Sequence, residues 1–74
     1  MNPMQRIRVS SSNIASAGYD DASRILEVEF LDGSIYQYFG VAPFVYRDFM
    51  NASSHGGYLD AYVKKRGYRY RQIR

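Results

Sequence analysis

Leu26-Glu27-Val28-Glu29-Phe30 is an unbroken alternation of apolar and acidic residues. That two-residue period fits a strand with one dry and one wet face; a helix would scatter the same residues around its surface. Asp32-Gly33 follows at once, a dipeptide favoured in two-residue type I′ hairpin turns. Ile35 to Phe39 then reads as the returning strand. The centre of the chain is committed to an antiparallel hairpin, and the remaining residues must cover its apolar face.

A two-residue turn sets an expected register. Phe30 then faces Ile35, Glu29 faces Tyr36, Val28 faces Gln37 and Glu27 faces Tyr38. Paired residues share a face. Leu26, Val28, Phe30, Ile35 and Phe39 are therefore expected toward the core. Glu27, Glu29, Tyr36 and Tyr38 are expected together on the open face.

The flanks fit around this hairpin. Ile7 and Val9 alternate with Arg6 and Arg8 as a short edge strand in an extended lead over residues 1–12, and Ser10 to Asn13 breaks it. Residues 14–19 form a further strand before the turn at Asp20 to Ser23. Pro43 suits the first turn of a helix running to about Asn51, with Val45/Phe49 and Tyr46/Met50 as its i,i+4 pairs. Ser53-Ser54 caps a second helix with the stripe Leu59, Tyr62, Val63 and Arg66, and Gly67 stops it. Strands precede helices, which predicts an α+β fold. It is an antiparallel meander of three or four strands followed by two short helices packed on one face. At 74 residues the whole chain is one domain, since a chain of this size buries only about 60% of its unfolded surface around one core.

Several functions are excluded at the outset. There is no cysteine, and His55 is the only histidine, so neither a disulfide framework nor a structural zinc site is expected, and no metal or cofactor is assigned. Met1 to Ser10 has no apolar run of the signal-peptide kind, and nothing approaches the roughly 20 apolar residues of a membrane helix. A cytoplasmic protein with no membrane partner is the expectation. A Ser-His-Asp arrangement would need His55 with Asp48 or Asp60, but no nucleophile elbow accompanies it. Glu27 and Glu29 lie about 6–7 Å apart along a strand, and they read as its wet face. No catalytic residue is assigned and no enzyme is expected.

Charge is distributed unevenly. Net charge is +3, but six of the ten basic residues fall in the last eleven positions: Lys64, Lys65, Arg66, Arg69, Arg71 and Arg74. Residues 1–63 carry four basic and seven acidic side chains, a net −3. A mildly acidic body thus ends in a basic, tyrosine-rich segment over 64–74.

Ser11-Ser12-Asn13-Ile14, Gly18-Tyr19-Asp20, the strand Leu26 to Phe30, Tyr36-Gln37-Tyr38, Pro43 with Val45-Tyr46, Ser54 with Gly56, and the closing Tyr68 to Ile73 form an ordered set. It resembles the KTSC domain, found at the C-terminus of some lysyl-tRNA synthetases and as small free-standing proteins of bacteria and phages. The resemblance spans about residues 8–73. It implies no activity, and the synthetase context suggests RNA as a ligand.

The expected ligand-binding residues are Tyr36, Tyr38, Lys65, Arg66, Tyr68, Arg69, Tyr70 and Arg71. Arginine forks bind phosphates and stack on bases, and tyrosines add aromatic faces. Set against this, carboxylates beside Tyr36 and Tyr38 would repel phosphate, so the tail is the better anion site. The structural alternative returns the tail tyrosines to the core or to a sheet edge. A subsidiary anion site is expected at Ser54, Gly56 and Gly57, where a helix begins. The leading reading is a non-enzymatic binding module for RNA or a nucleotide-like anion. The alternatives are a protein-interaction or homo-oligomeric assembly module, and a phage-type protein that sequesters a signalling nucleotide at a subunit interface.

Overall fold

In a computed structural model of the chain, residues 4–74 are described. Met1 to Pro3, part of the expected extended lead, lie outside them. Strands β1 (Ile7–Arg8), β2 (Ile14–Asp20), β3 (Ile25–Phe30) and β4 (Ile35–Phe39) precede helix α1 (Pro43–Asn51) and helix α2 (His55–Leu59). Helix α2 runs on into a π-helical stretch, Asp60–Lys64, before strand β5 (Tyr70–Gln72). All strands pair antiparallel in the order β1-β2-β3-β4-β5. The fold is α+β as expected, with one strand more than the three or four anticipated: the tail returns beside β4.

Local signals account for the elements. Pro43 sits in the first turn of α1, and Val45 and Phe49 are its buried pair. The Ser54 hydroxyl accepts from the Gly57 N–H at 3.1 Å and so caps α2. Gly67, at φ 79°, ends the helical segment in the left-handed region that suits glycine. One sheet face and the helices enclose Ile14, Ala17, Leu26, Val28, Tyr38, Val41, Val45, Phe49, Leu59 and Val63. A bulge between Ile14 and Ser16 lets both Ile14 and Ala17 reach that core while Ser16 turns to the other face.

The expected hairpin register is wrong by one residue. Glu29 pairs with Ile35, Val28 with Tyr36, Glu27 with Gln37 and Leu26 with Tyr38. The cause is the loop, which has three residues, Leu31 to Gly33. The Phe30 N–H donates to the Ser34 carbonyl at 2.8 Å, and the Gly33 N–H to the Phe30 carbonyl at 2.9 Å. Gly33 takes φ 93° at the third position, where a turn followed by a left-handed residue needs it. Asp32 Oδ1 steadies this loop by accepting from the Ser34 N–H at 2.9 Å. A slip of one residue transfers every side chain of β4 to the opposite face. Tyr36 and Tyr38 therefore lie on the helix-covered face with Leu26 and Val28, and Ile35 and Phe39 join the glutamates.

Candidate functional site

The corrected register builds a pocket. Tyr36 and Tyr38 project from β4, and Tyr70 on the neighbouring β5 pairs directly with Tyr38. Phe30 at the end of β3, Ser34 at the turn, Tyr68 and Lys64 complete an open pocket of about 500 Å³. The rings are contiguous. Tyr36 meets Phe30 edge-on at 5.7 Å, lies 6.4 Å from Tyr38 and is 5.9 Å from Tyr70. Tyr38 is 3% exposed and Tyr70 is 64% exposed, so Tyr38 is floor and Tyr70 is wall. Burial, followed by the neighbouring Tyr36 and Tyr70, pushes the Tyr38 hydroxyl up to about 12. The Tyr36 hydroxyl donates to Gln72 Oε1 at 3.0 Å and is fixed by it. Lys64 Nζ stands 5.2 Å from the centre of the Phe30 ring.

The carboxylates expected beside these tyrosines are on the other side of the sheet. Glu27, 4% exposed, pairs with the Arg6 guanidinium and accepts from Gln37 Nε2 at 2.9 Å. Glu29 accepts from the Ser16 hydroxyl at 2.8 Å and from Arg74 at 2.9 Å. The Ser16 hydrogen bond, followed by Arg6 and Arg74, holds the Glu29 carboxyl below the ordinary value. Among the described residues no carboxylate lines the tyrosine pocket. The electrostatic objection to an anion at Tyr36 and Tyr38 therefore lapses.

The basic segment is dispersed. Lys64 lines the pocket. Lys65 pairs with Asp60 at 3.3 Å, and Arg66 lies over the Tyr62 ring at 5.4 Å. Arg71 pairs in register with Gln37, on the glutamate face, and just before β5 the Arg69 carbonyl accepts from the Phe39 N–H at 2.8 Å. Arg74 donates to the Gly33 carbonyl at 3.0 Å and to Glu29. Of the expected ligand residues, Tyr36, Tyr38, Tyr68 and Tyr70 come together, whereas Lys65, Arg66, Arg69 and Arg71 lie outside the pocket lining. Phe30, Ser34 and Lys64 complete it and were not among the expected ligand residues. The sequence signal for Phe30 and Ser34 is the Gly33 position, which is compatible with the three-residue loop that sets the register, and for Lys64 it is membership of the basic segment.

The expected anion site has a different local use. Gly56 packs against Asn13, where an added Cβ would lie 2.5 Å from Asn13 Oδ1, and Ser54 is occupied as the cap of α2. Beside them is a polar cleft of about 340 Å³ lined by Ser10, Ser11, Ser12, Ser53, Ser54 and His55. His55 Nδ1 donates to the Phe49 carbonyl at 2.9 Å, which fixes its tautomer. Asp48 pairs with Arg47 and Asp60 with Lys65. Among the described residues no three or more His, Cys, Asp or Glu side chains are grouped to hold a metal, and no helix is long and apolar enough to cross a membrane.

Comparison with known proteins places this architecture. A crystal structure of a KTSC domain protein from Yersinia pestis superposes with a TM-score of 0.88 at 42% identity, covering 97% of this chain and all of that one. An uncharacterized protein of Stutzerimonas stutzeri is 40% identical over 70 residues, 95% of this chain and 99% of its own. A lysine–tRNA ligase of Nostoc punctiforme is 34% identical over 58 residues, which are 78% of this chain and 10% of the ligase. The sequence profile of the KTSC domain matches residues 10–70. With the profile, the relatives and the fold in agreement, this chain belongs to the KTSC domain family.

Proposed function

We propose that this chain is a non-catalytic binding module for RNA or a nucleotide-like anion, and that the planar base of the ligand enters the tyrosine pocket. The observation that carries the reading is the pocket lining: among the described residues Phe30, Tyr36, Tyr38, Tyr68 and Tyr70 surround one ammonium, Lys64, with no carboxylate. Aromatic walls favour flat π systems, and base stacking is worth about 1–3 kcal/mol per base. The ammonium disfavours a cationic guest and favours a phosphate. The similarity to a segment of a lysine–tRNA ligase agrees with an RNA ligand.

Tyr70 is the informative residue because it is mostly exposed, so its removal spares the core. Titration of a fluorescently labelled single-stranded oligoribonucleotide should show binding that Tyr70→Ala weakens by about tenfold to a hundredfold. Equal affinity of wild type and Tyr70→Ala would remove the pocket from the function.

A further inference from the structure

Resting on the proposal that the pocket takes a nucleobase, we infer that it recognises a single phosphorylated nucleoside, with one base among the rings and one phosphate on Lys64, and does not track a run of nucleic acid. The first argument is the fate of the cations. Continuous single-stranded binders line a groove with positive charge along the backbone path. Here the segment that supplies most of the positive charge spends it elsewhere. Lys65, beside Asp60, and Arg66, over the Tyr62 ring, both lie outside the pocket lining. Arg71 stands across the sheet beside Gln37, Arg69 lies beside Phe39 and outside the pocket lining, and Arg74 is bound to Glu29 and the Gly33 carbonyl. Among the described residues Lys64 is the one cation lining the pocket.

The second argument is size. About 500 Å³ falls within the range of roughly 300–1,000 Å³ typical of small-molecule pockets. It is a compartment bounded by the hairpin turn at Ser34 and by the π-helical end at Lys64. The third is geometry. A backbone leaving the pocket would have to pass around the outer edge of β5 to reach Arg71, because Tyr70 and Arg71 are successive residues of that strand and occupy its opposite faces. The shared chemistry is thus a nucleoside with one phosphate, whether it is a free nucleotide or the terminal residue of a strand.

Calorimetric titrations with the four ribonucleoside 5′-monophosphates, the matching nucleosides and 5′-phosphorylated ten-residue homo-oligomers, each at low and high salt, test this. At least one monophosphate should bind within about threefold of its oligomer, with a salt slope shallower than the roughly −0.7 per contact of a polyanionic strand, because a free nucleotide carries no condensed counterions. Its nucleoside should bind about tenfold more weakly. Lys64→Met should reduce the monophosphate to the nucleoside level, and Arg69→Ala/Arg71→Ala should change nothing. Lys64, Arg69 and Arg71 are all exposed, so neither variant disturbs the core. A monophosphate that competes fully with its oligomer identifies the free nucleotide as a sufficient ligand. If no monophosphate reaches that level, oligomer binding that is lost when the terminal phosphate is removed identifies the strand end as the source of the one nucleoside phosphate. The inference is overturned if oligomers bind tenfold or more tightly irrespective of their ends, with a slope near −3.5, the value for five contacts, and lose that advantage in Arg69→Ala/Arg71→Ala. Loss of that binding in Tyr70→Ala would then leave the pocket reading standing. Absence of binding by every probe would remove both.

Discussion

The two faces of the central sheet are buried by different physics. On the helix-covered face Leu26 and Val28 are fully enclosed, and Tyr36, Tyr38 and Tyr70 extend that apolar surface outward into an open aromatic pocket. On the other face Ser16, Glu27, Glu29 and Gln37 form a polar layer clamped at one side by Arg6 and at the other by Arg74. Both sets of side chains come from the same strands, one residue apart. The difference teaches that the hairpin register is a functional variable here. It removes negative charge from the tyrosines and hands that charge to two arginines, leaving an aromatic pocket in which one lysine sets the sign.

The comparison breaks most severely through the helix-covered face. Phe49 is fully buried in the centre of the core. Phe49→Ala should cost about 3–5 kcal/mol, the usual penalty for deleting a buried aromatic ring, measured by urea unfolding. A cost below 1 kcal/mol would mean that the helices hardly hold this face. On the polar face the corresponding break is Arg6→Met, which leaves the buried Glu27 carboxylate with Gln37 alone. Removing one partner of a fully buried pair costs about 3–5 kcal/mol, and the 26% exposure of the Arg6 side chain brings the expectation down to about 2–3 kcal/mol. Arg6→Met/Glu27→Leu should recover most of that loss, because the uncompensated charge goes with its partner. A double variant no better than the single one would show that packing of the arginine stem, not charge, holds the clamp.

Sequence patterning reveals the first half of this arrangement and hides the second. The alternation in β3 identifies Leu26, Val28 and Phe30 as one face because the residues between them, Glu27 and Glu29, are acidic. In β4 both faces are apolar or aromatic, Ile35 and Phe39 against Tyr36 and Tyr38, so hydrophobicity does not select between them. The choice falls to the loop, and Asp32-Gly33 is compatible with two or three loop residues. The structure resolves it through the Asp32–Ser34 hydrogen bonds and the left-handed Gly33. The basic tail shows the same limit. Its Tyr/Arg alternation signals a strand, but its meaning depends on the partner. Beside β4 the alternation sends the tyrosines to the pocket and Arg69 and Arg71 away from it. The helix boundaries were legible for the opposite reason: Pro43, Ser54 and Gly67 act through their own backbone chemistry, without reference to a distant neighbour.

The gentlest probe of the two faces is pH, because they lose stability at opposite ends of the scale. Tyr38 titrates at about 12 rather than 10.0 because burial disfavours the phenolate. A raised value means that the folded state holds its proton more tightly. The stabilisation is complete below pH 10 and is lost as pH rises through 12. Glu29 has the reverse sign: the Ser16 hydroxyl and the guanidinium groups of Arg6 and Arg74 favour its charged form. Its contribution is complete above the ordinary value of 4.5 and is lost as pH falls through the depressed folded value. This acid limb should be the shallower of the two, since the carboxylate is within reach of solvent. Thermal unfolding across the pH range, with tyrosinate absorbance followed in parallel, separates them. Tyr38→Phe should remove the part of the alkaline limb nearest pH 12 and leave the acid limb in place. Ser16→Ala should flatten the acid limb and leave the alkaline one. If either substitution moved both limbs equally, the two faces would be one electrostatic unit, and the separation imposed by the register would not insulate the tyrosines from the glutamates.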